Sequence, residues 1–123
     1  MTLYRVHLTL ARTQDHPQGS KTHGYDLVVP LDASGKLDPE AWKLHARDCT
    51  VRRFWEGEDD KRGLLRHIGR GWVIDYDKTT RSGDEPFFKL DRHEIKTGEY
   101  LSLLEEDGEM MTFHIASVTP FAG

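Results

Sequence analysis

The 123-residue chain has a single cysteine, Cys49. That excludes an internal disulfide and every multi-cysteine zinc site. No apolar run approaches the ~20 residues that a membrane helix needs. The N-terminal stretch MTLYRVHLTLART alternates polar and apolar residues, where a signal peptide would carry a continuous apolar segment. There is no GxxxxGK[ST], GxSxG, HExxH or CxxC pattern. Gly69-Arg70-Gly71 lacks the third glycine of a dinucleotide fingerprint and precedes an extended stretch, so it reads as a turn. Hydrophobic residues make up only 37% and charged residues 31%, a polar balance for a chain of 14.2 kDa. Folding at this size hides roughly two-thirds of the extended chain's surface, enough for a core without disulfide or metal. The expectation is one soluble, cytoplasmic domain over residues 1–123.

The net charge of −4 is unevenly spread. Residues 43–70 carry eight basic and five acidic side chains, whereas residues 84–109 carry nine acidic and three basic ones. An arginine-rich middle permits a local anion site, but an acidic chain disfavours a broad nucleic-acid footprint.

Extended segments dominate the pattern. Tyr4, Val6, Leu8 and Leu10 recur at period two, as do Tyr25, Leu27, Val29 and Leu31. Pro30, without an N–H, belongs at an edge or at a strand's end. Residues 12–24 read as a long loop. One helix is clear: Asp38 as N-cap, Pro39 at the first position, Glu40 at the positive end, and Leu37 with Trp42 as a hydrophobic staple predict about three turns over 38–47. Further short segments follow at 51–55, 64–68, 72–76, 87–90, 99–104 and 110–118, with GEDDKRG, GRG, DKTTRSGDEP, KTG and EDG between them as turns. In the last hairpin, a three-residue loop Glu106-Asp107-Gly108 sets Leu103 opposite Met111 and Leu101 opposite Phe113. A two-residue loop would mix the faces. The reading is a mainly β protein: a small antiparallel barrel or strongly bent sheet of seven to eight short strands with one α-helix.

Candidate chemistry is sparse. Seven histidines lack the close spacing that turns two ligands to one helix face, and no metal or other cofactor is expected. His7 and His114 alternate onto outer faces. His45 and Cys49, four apart, could meet and favour a thiolate, although a buried apolar thiol is the ordinary fate of a free cysteine. Asp75 and Asp77 share a strand face, but aspartates entering a turn are ordinarily solvated. Two adjacent aromatic pairs say more. Neighbours in a strand point to opposite faces, so Phe54 and Trp55 cannot enter one core together, nor can Phe87 and Phe88. If 51–55 and 64–68 form a hairpin, Arg52, Arg53, Phe54, Trp55, Arg66, His67 and Arg70 compose a cationic, ring-bearing surface. Such a surface suits a protein partner or a small anionic ligand. Otherwise the helix covers this side and the arginines reach past the rings to water.

With LTLART (8–13), HGYDLVVPLD (23–32), VRRFWEGEDD (51–60) and TGEYLSLLEEDGEMMTFHIASV (97–118) in view, the chain resembles a group of small bacterial proteins of unknown function over nearly its whole length. That resemblance implies no activity and no catalytic residues. The stretch from Lys96 to Val118 also resembles the closing hairpin of PUA-like barrels, some of which bind RNA.

These readings favour a non-enzymatic binding or protein-interaction module using residues 52–70. An alternative is a small enzyme or ligand-binding barrel with Arg12, His16 and His23 in a pocket near the 12–24 loop. It requires at least two of Arg12, His16, His23, Arg66 and His67 to converge in a concave site. A weak PUA-like RNA binder is a further alternative. An unpaired edge strand would allow a homodimer in place of a monomer.

Overall fold

A computed structural model of the chain describes residues 3–12, 17–68, 71–76, 84–87, 94–104 and 110–121, with backbone only for Ile68, Gly71, Tyr76, residues 84–87 and Leu104. The strands are β1 (Leu3–Leu10), β2 (Ser20–Pro30), β3 (Thr50–Trp55), β4 (Glu58–Ile68), β5 (Gly71–Tyr76), β6 (Asp84–Phe87), β7 (Tyr100–Leu104) and β8 (Met110–Pro120). Each pairs antiparallel with its neighbour in sequence, and β1 pairs with β8 to close a barrel. Among the described residues, β6 and β7 meet through one pair, Phe87 with Leu103. The mainly β antiparallel architecture with one short helix is the one the alternation predicts.

Period two sorts the side chains. Val6, Leu8 and Leu10 from β1 turn inward, as do Tyr25, Leu27 and Val29 from β2. Val51, Leu65, Trp72, Ile74, Leu101, Leu103, Phe113 and Ile115 complete the lining, all buried. The Tyr25 and Phe113 rings meet edge to face at 5.2 Å. The C-terminal hairpin adopts the expected register, Leu101 opposite Phe113 and Leu103 opposite Met111. A one-residue slip would send these four side chains to water. The loop itself lies outside the described residues.

Helix α1 (Pro39–His45) starts as expected, with Asp38 Oδ1 accepting from the Glu40 and Ala41 amides at 3.0 and 3.3 Å. A 3-10 turn, Ala46–Asp48, extends it. The helix covers one barrel end, not the outer face. Trp42 donates from Nε1 to the Leu65 carbonyl at 2.8 Å and stands edge-on to Trp72 at 6.3 Å. At the other end Trp55 packs against Phe113 and His23.

Three boundaries differ from the sequence reading. Residues 20–24 belong to β2, not to a loop running to 24. β1 and β2 change register there, from Thr9 opposite Gly24 to Leu10 opposite Ser20. Gly24 makes the close approach feasible, because a Cβ at that position would lie 1.9 Å from the Leu8 carbonyl oxygen and 2.9 Å from Phe54 Cζ. GEDDKRG is not a turn. Only Glu56 and Gly57 separate β3 from β4, and Gly57 supplies the left-handed backbone (φ 86°) that a two-residue connection demands. Charged residues 58–62 extend β4 because their backbone groups pair with β3, while Asp60 and Arg62 face outward to water. The segment expected at 87–90 begins earlier, since β6 covers Asp84–Phe87 and residues 88–90 lie outside the description.

Candidate functional site

The early turn changes which residues share a surface. Residues 51–55 pair with 58–63, not with 64–68: Arg53 faces Lys61, Arg52 faces Arg62, and Thr50 faces Leu64. Arg66 pairs instead with Val73 of β5 and donates to Asp75 Oδ2 at 3.0 Å. The expected 51–55/64–68 hairpin is therefore corrected by one turn of different length. Asp75 is engaged by Arg66, and Asp77 lies outside the described residues.

Adjacent residues then divide between the two faces. Trp55 turns toward the interior, where its ring meets His23 edge-on at 4.4 Å and the Arg53 guanidinium lies 4.2 Å from its centre. Arg53 is itself buried and reaches Glu58 at 3.4 Å. His67 also faces inward, 4.5 Å from the Trp72 ring. Arg53, Trp55 and His67 thus leave the outer surface proposed for them, because inward and outward alternate at every residue. Arg70 lies outside the described residues.

Arg52 and Phe54 remain outside. Phe54 is half-buried, stacked on His7 at 5.6 Å with a 10° angle between the rings, and the Arg52 guanidinium lies 5.1 Å from its centre. His7, Asp26, Arg52 and Arg62 form one outward row across β1 to β4. His7 Nδ1 donates to Asp26 Oδ1 at 2.6 Å, and Arg52 grips Asp26 Oδ2 through Nε, at 3.2 Å, and Nη2. Arg52 Nη1 also donates to Asp60 at 3.0 Å. Burial pushes the Asp26 carboxyl up, but the hydrogen bonds from His7 and Arg52 outweigh it and hold the group below its usual value.

An aspartate holding a histidine by Nδ1 is the orienting half of a nucleophilic dyad. Ser117 of β8 is the cross-strand partner of His7, yet no hydrogen bond joins them among the described residues. The imidazole stacks on Phe54 instead, so the network organises the face. Residue by residue along β4, Arg62, Leu64 and Arg66 continue the outward row, with Leu64 40% exposed between the two arginines. Sequence reasoning missed Arg62 because it assigned residues 57–63 to a turn; Leu64 stood in the expected segment 64–68 but was not singled out.

Concavities open on the outer surface among the described residues. One, about 370 Å³, is lined by Arg5, Asp26, Val28, Thr50, Arg52 and Phe121, with Arg62 at its far side. Another, about 590 Å³, lies between the residues after β1 and the outer face of β7–β8, and is lined by Arg12, Gln18, Tyr100, Thr112 and His114. Arg12 reaches that second groove, but His23 does not. His23 is 6% exposed, turned inward, with Ser20 Oγ 2.7 Å from its Nδ1. His16 lies outside the described residues. So no two of Arg12, His23, Arg66 and His67 line either of these concavities. Tyr100 and His114, cross-strand partners with rings 5.2 Å apart, are the aromatic groups there.

Comparison with protein-family models, curated proteins and solved structures finds no match to this chain.

The remaining expectations concern Cys49 and metals. Cys49 is fully buried, and burial, with the Asp48 carboxylate beside it, pushes its thiol up to about 12. His45 faces Asp48 at 3.7 Å. The thiolate-promoting pair is therefore replaced by an inert core thiol. No cluster of three or more metal-binding side chains occurs among the described residues. Among the same residues, no helix is long and apolar enough to cross a membrane.

Proposed function

We propose that this barrel is a non-enzymatic binding module that docks an acidic segment of a protein partner on the outward face of β3 and β4. The observation that carries this reading is the row Arg62–Leu64–Arg66, an exposed apolar side chain between two cations, beside the Arg52–Phe54 pair. Arg66 is bonded to Asp75 and Arg52 to Asp26 and Asp60, so both are held in place before any partner arrives. Arg62 has no ion pair or hydrogen bond among the described residues. A held guanidinium loses less freedom on binding than a mobile one, and Arg with an apolar anchor is a favoured interface composition.

The test is fluorescence anisotropy with a labelled acidic peptide containing one leucine and with a lysine-substituted counterpart. Saturable binding of the acidic peptide alone is expected, weakened more than about tenfold by Leu64→Asp. Equal binding of both peptides, or no effect of Leu64→Asp, would overturn the reading. A ligand-binding barrel is the second reading, supported by the Arg12–Tyr100–His114 groove. Amide NMR shifts confined to that groove on addition of a small anion would favour it. The RNA-binding alternative demands affinity for single-stranded RNA that falls steeply with salt.

A further inference from the structure

The smaller concavity has a composition that the docking reading does not require. Apart from the inward-facing Leu27, its lining residues hold outward positions on β1, β2, β3 and β4, with Phe121 following β8. Arg5 and Arg62 stand on opposite sides, three strand spacings apart and two residues out of register, about 16 Å between backbones along the sheet. Neither guanidinium has a carboxylate partner among the described residues. Arg5 is exposed, and its guanidinium lies 5.4 Å from the centre of the Phe121 ring, which also lines the groove. Arg52 lies between them, already fixed by Asp26 and Asp60 through three of its five N–H groups. The exposed Thr50 hydroxyl is two residues from Arg52 on the same face, and Val28, although outward-facing, is only 5% exposed.

Arg52 and Arg62 are moreover direct cross-strand partners. Like charges so placed destabilise a sheet, and Asp26 and Asp60 answer only the first of them. With the Asp26 carboxylate taken up by His7 and Arg52, the groove suits an anion able to accept from two separate guanidinium forks. A carboxylate offers two coplanar oxygens and one negative charge. A phosphate monoester offers three oxygens and close to two negative charges, so it can accept from Arg5 and Arg62 together while Thr50 donates to the third.

We propose that the groove between Arg5 and Arg62 is a binding site for a phosphate monoester, presented as a phosphorylated side chain of the docked protein partner. This rests on the docking face described above, which supplies the flanking contact at Leu64. A negatively charged chain disfavours a polyphosphate strand, and a concavity of about 370 Å³ has room for one phosphoryl group and a few adjoining atoms.

Amide NMR of the full chain at constant ionic strength tests the site with four probes: a leucine-containing phosphoserine peptide, its glutamate version, inorganic phosphate and a short single-stranded RNA. The expected result is saturable shifts at Arg5, Val28, Thr50 and Arg62, with the phosphoserine peptide on the order of tenfold tighter than the glutamate peptide. Arg5→Gln and Arg62→Gln should each weaken it by a similar factor. Arg62→Lys should not restore it, because an ammonium keeps the charge but cannot fork. Glutamate and phosphoserine peptides of equal affinity, or full recovery with Arg62→Lys, overturn the proposal while leaving the docking face intact. Phosphoserine shifts in the groove that persist in Leu64→Asp keep the site and remove the docking face. RNA binding more tightly than the phosphopeptide overturns the assignment to a protein partner.

Discussion

At the scale of single residues, Asp26 does most to arrange the outer face. It receives His7 and Arg52 at once, and its side chain is 21% exposed. Asp26→Asn removes the charge while keeping the shape, and should destabilise the fold by about 1–3 kcal/mol near neutral pH. The pH dependence has a definite sign. Because the folded carboxyl is held below its ordinary value of 3.8, its contribution is complete above that value and disappears as pH falls through the lower folded one. Urea titrations of the two proteins should differ near neutral pH and converge in acid; a gap independent of pH would show that the charge is immaterial. The same network explains why Phe54 stays outside. Its ring rests over Gly24, where the missing side chain leaves room, and His7 and Arg52 cover what remains.

At the scale of elements, α1 is short and has no buried residue, yet Trp42 couples it to the barrel. Two contributions can be separated. Trp42→Phe keeps a ring against Trp72 and loses only the bond to the Leu65 carbonyl, so about 1 kcal/mol is expected. Trp42→Ala also uncovers the barrel end, with an expected cost of about 3 kcal/mol. Equal midpoints for Trp42→Ala and the parent would mean that the helix does not hold the barrel closed. The helix was legible because its signals are local: Asp38, Pro39, Glu40 and Trp42 act within one or two turns. The β3–β4 connection was not. Glu58–Arg62 are charged, and charge suits a turn as well as it suits the solvated side of a long strand. Only pairing with β3 distinguishes them.

At the scale of the molecule, closure is uneven. β1 lies between β2 and β8 with long ladders on both sides, whereas β6 and β7 share one pair among the described residues. Local opening should begin where the fewest backbone bonds must break. Hydrogen exchange should therefore be slowest in β1, and faster by at least about tenfold in β6. Uniform protection around the barrel would contradict this. The acidic composition acts at the same scale, opposing extended anionic partners while leaving the local field of Arg5, Arg52 and Arg62 to a small one.

Alternation, N-cap chemistry and apolar matching are properties of neighbouring residues, and they determined the β class, the helix and the register of the C-terminal hairpin. Which partner each arginine meets across β3 and β4 was decided by the two-residue turn at Glu56 and Gly57, because the turn's length sets the register of every residue beyond it. Arg5 and Arg62 are far apart in the chain, and no local pattern could place them on one groove. That required β1 to pair with β2, β2 with β3, and β3 with β4, a sum of registers that only the closed sheet makes definite.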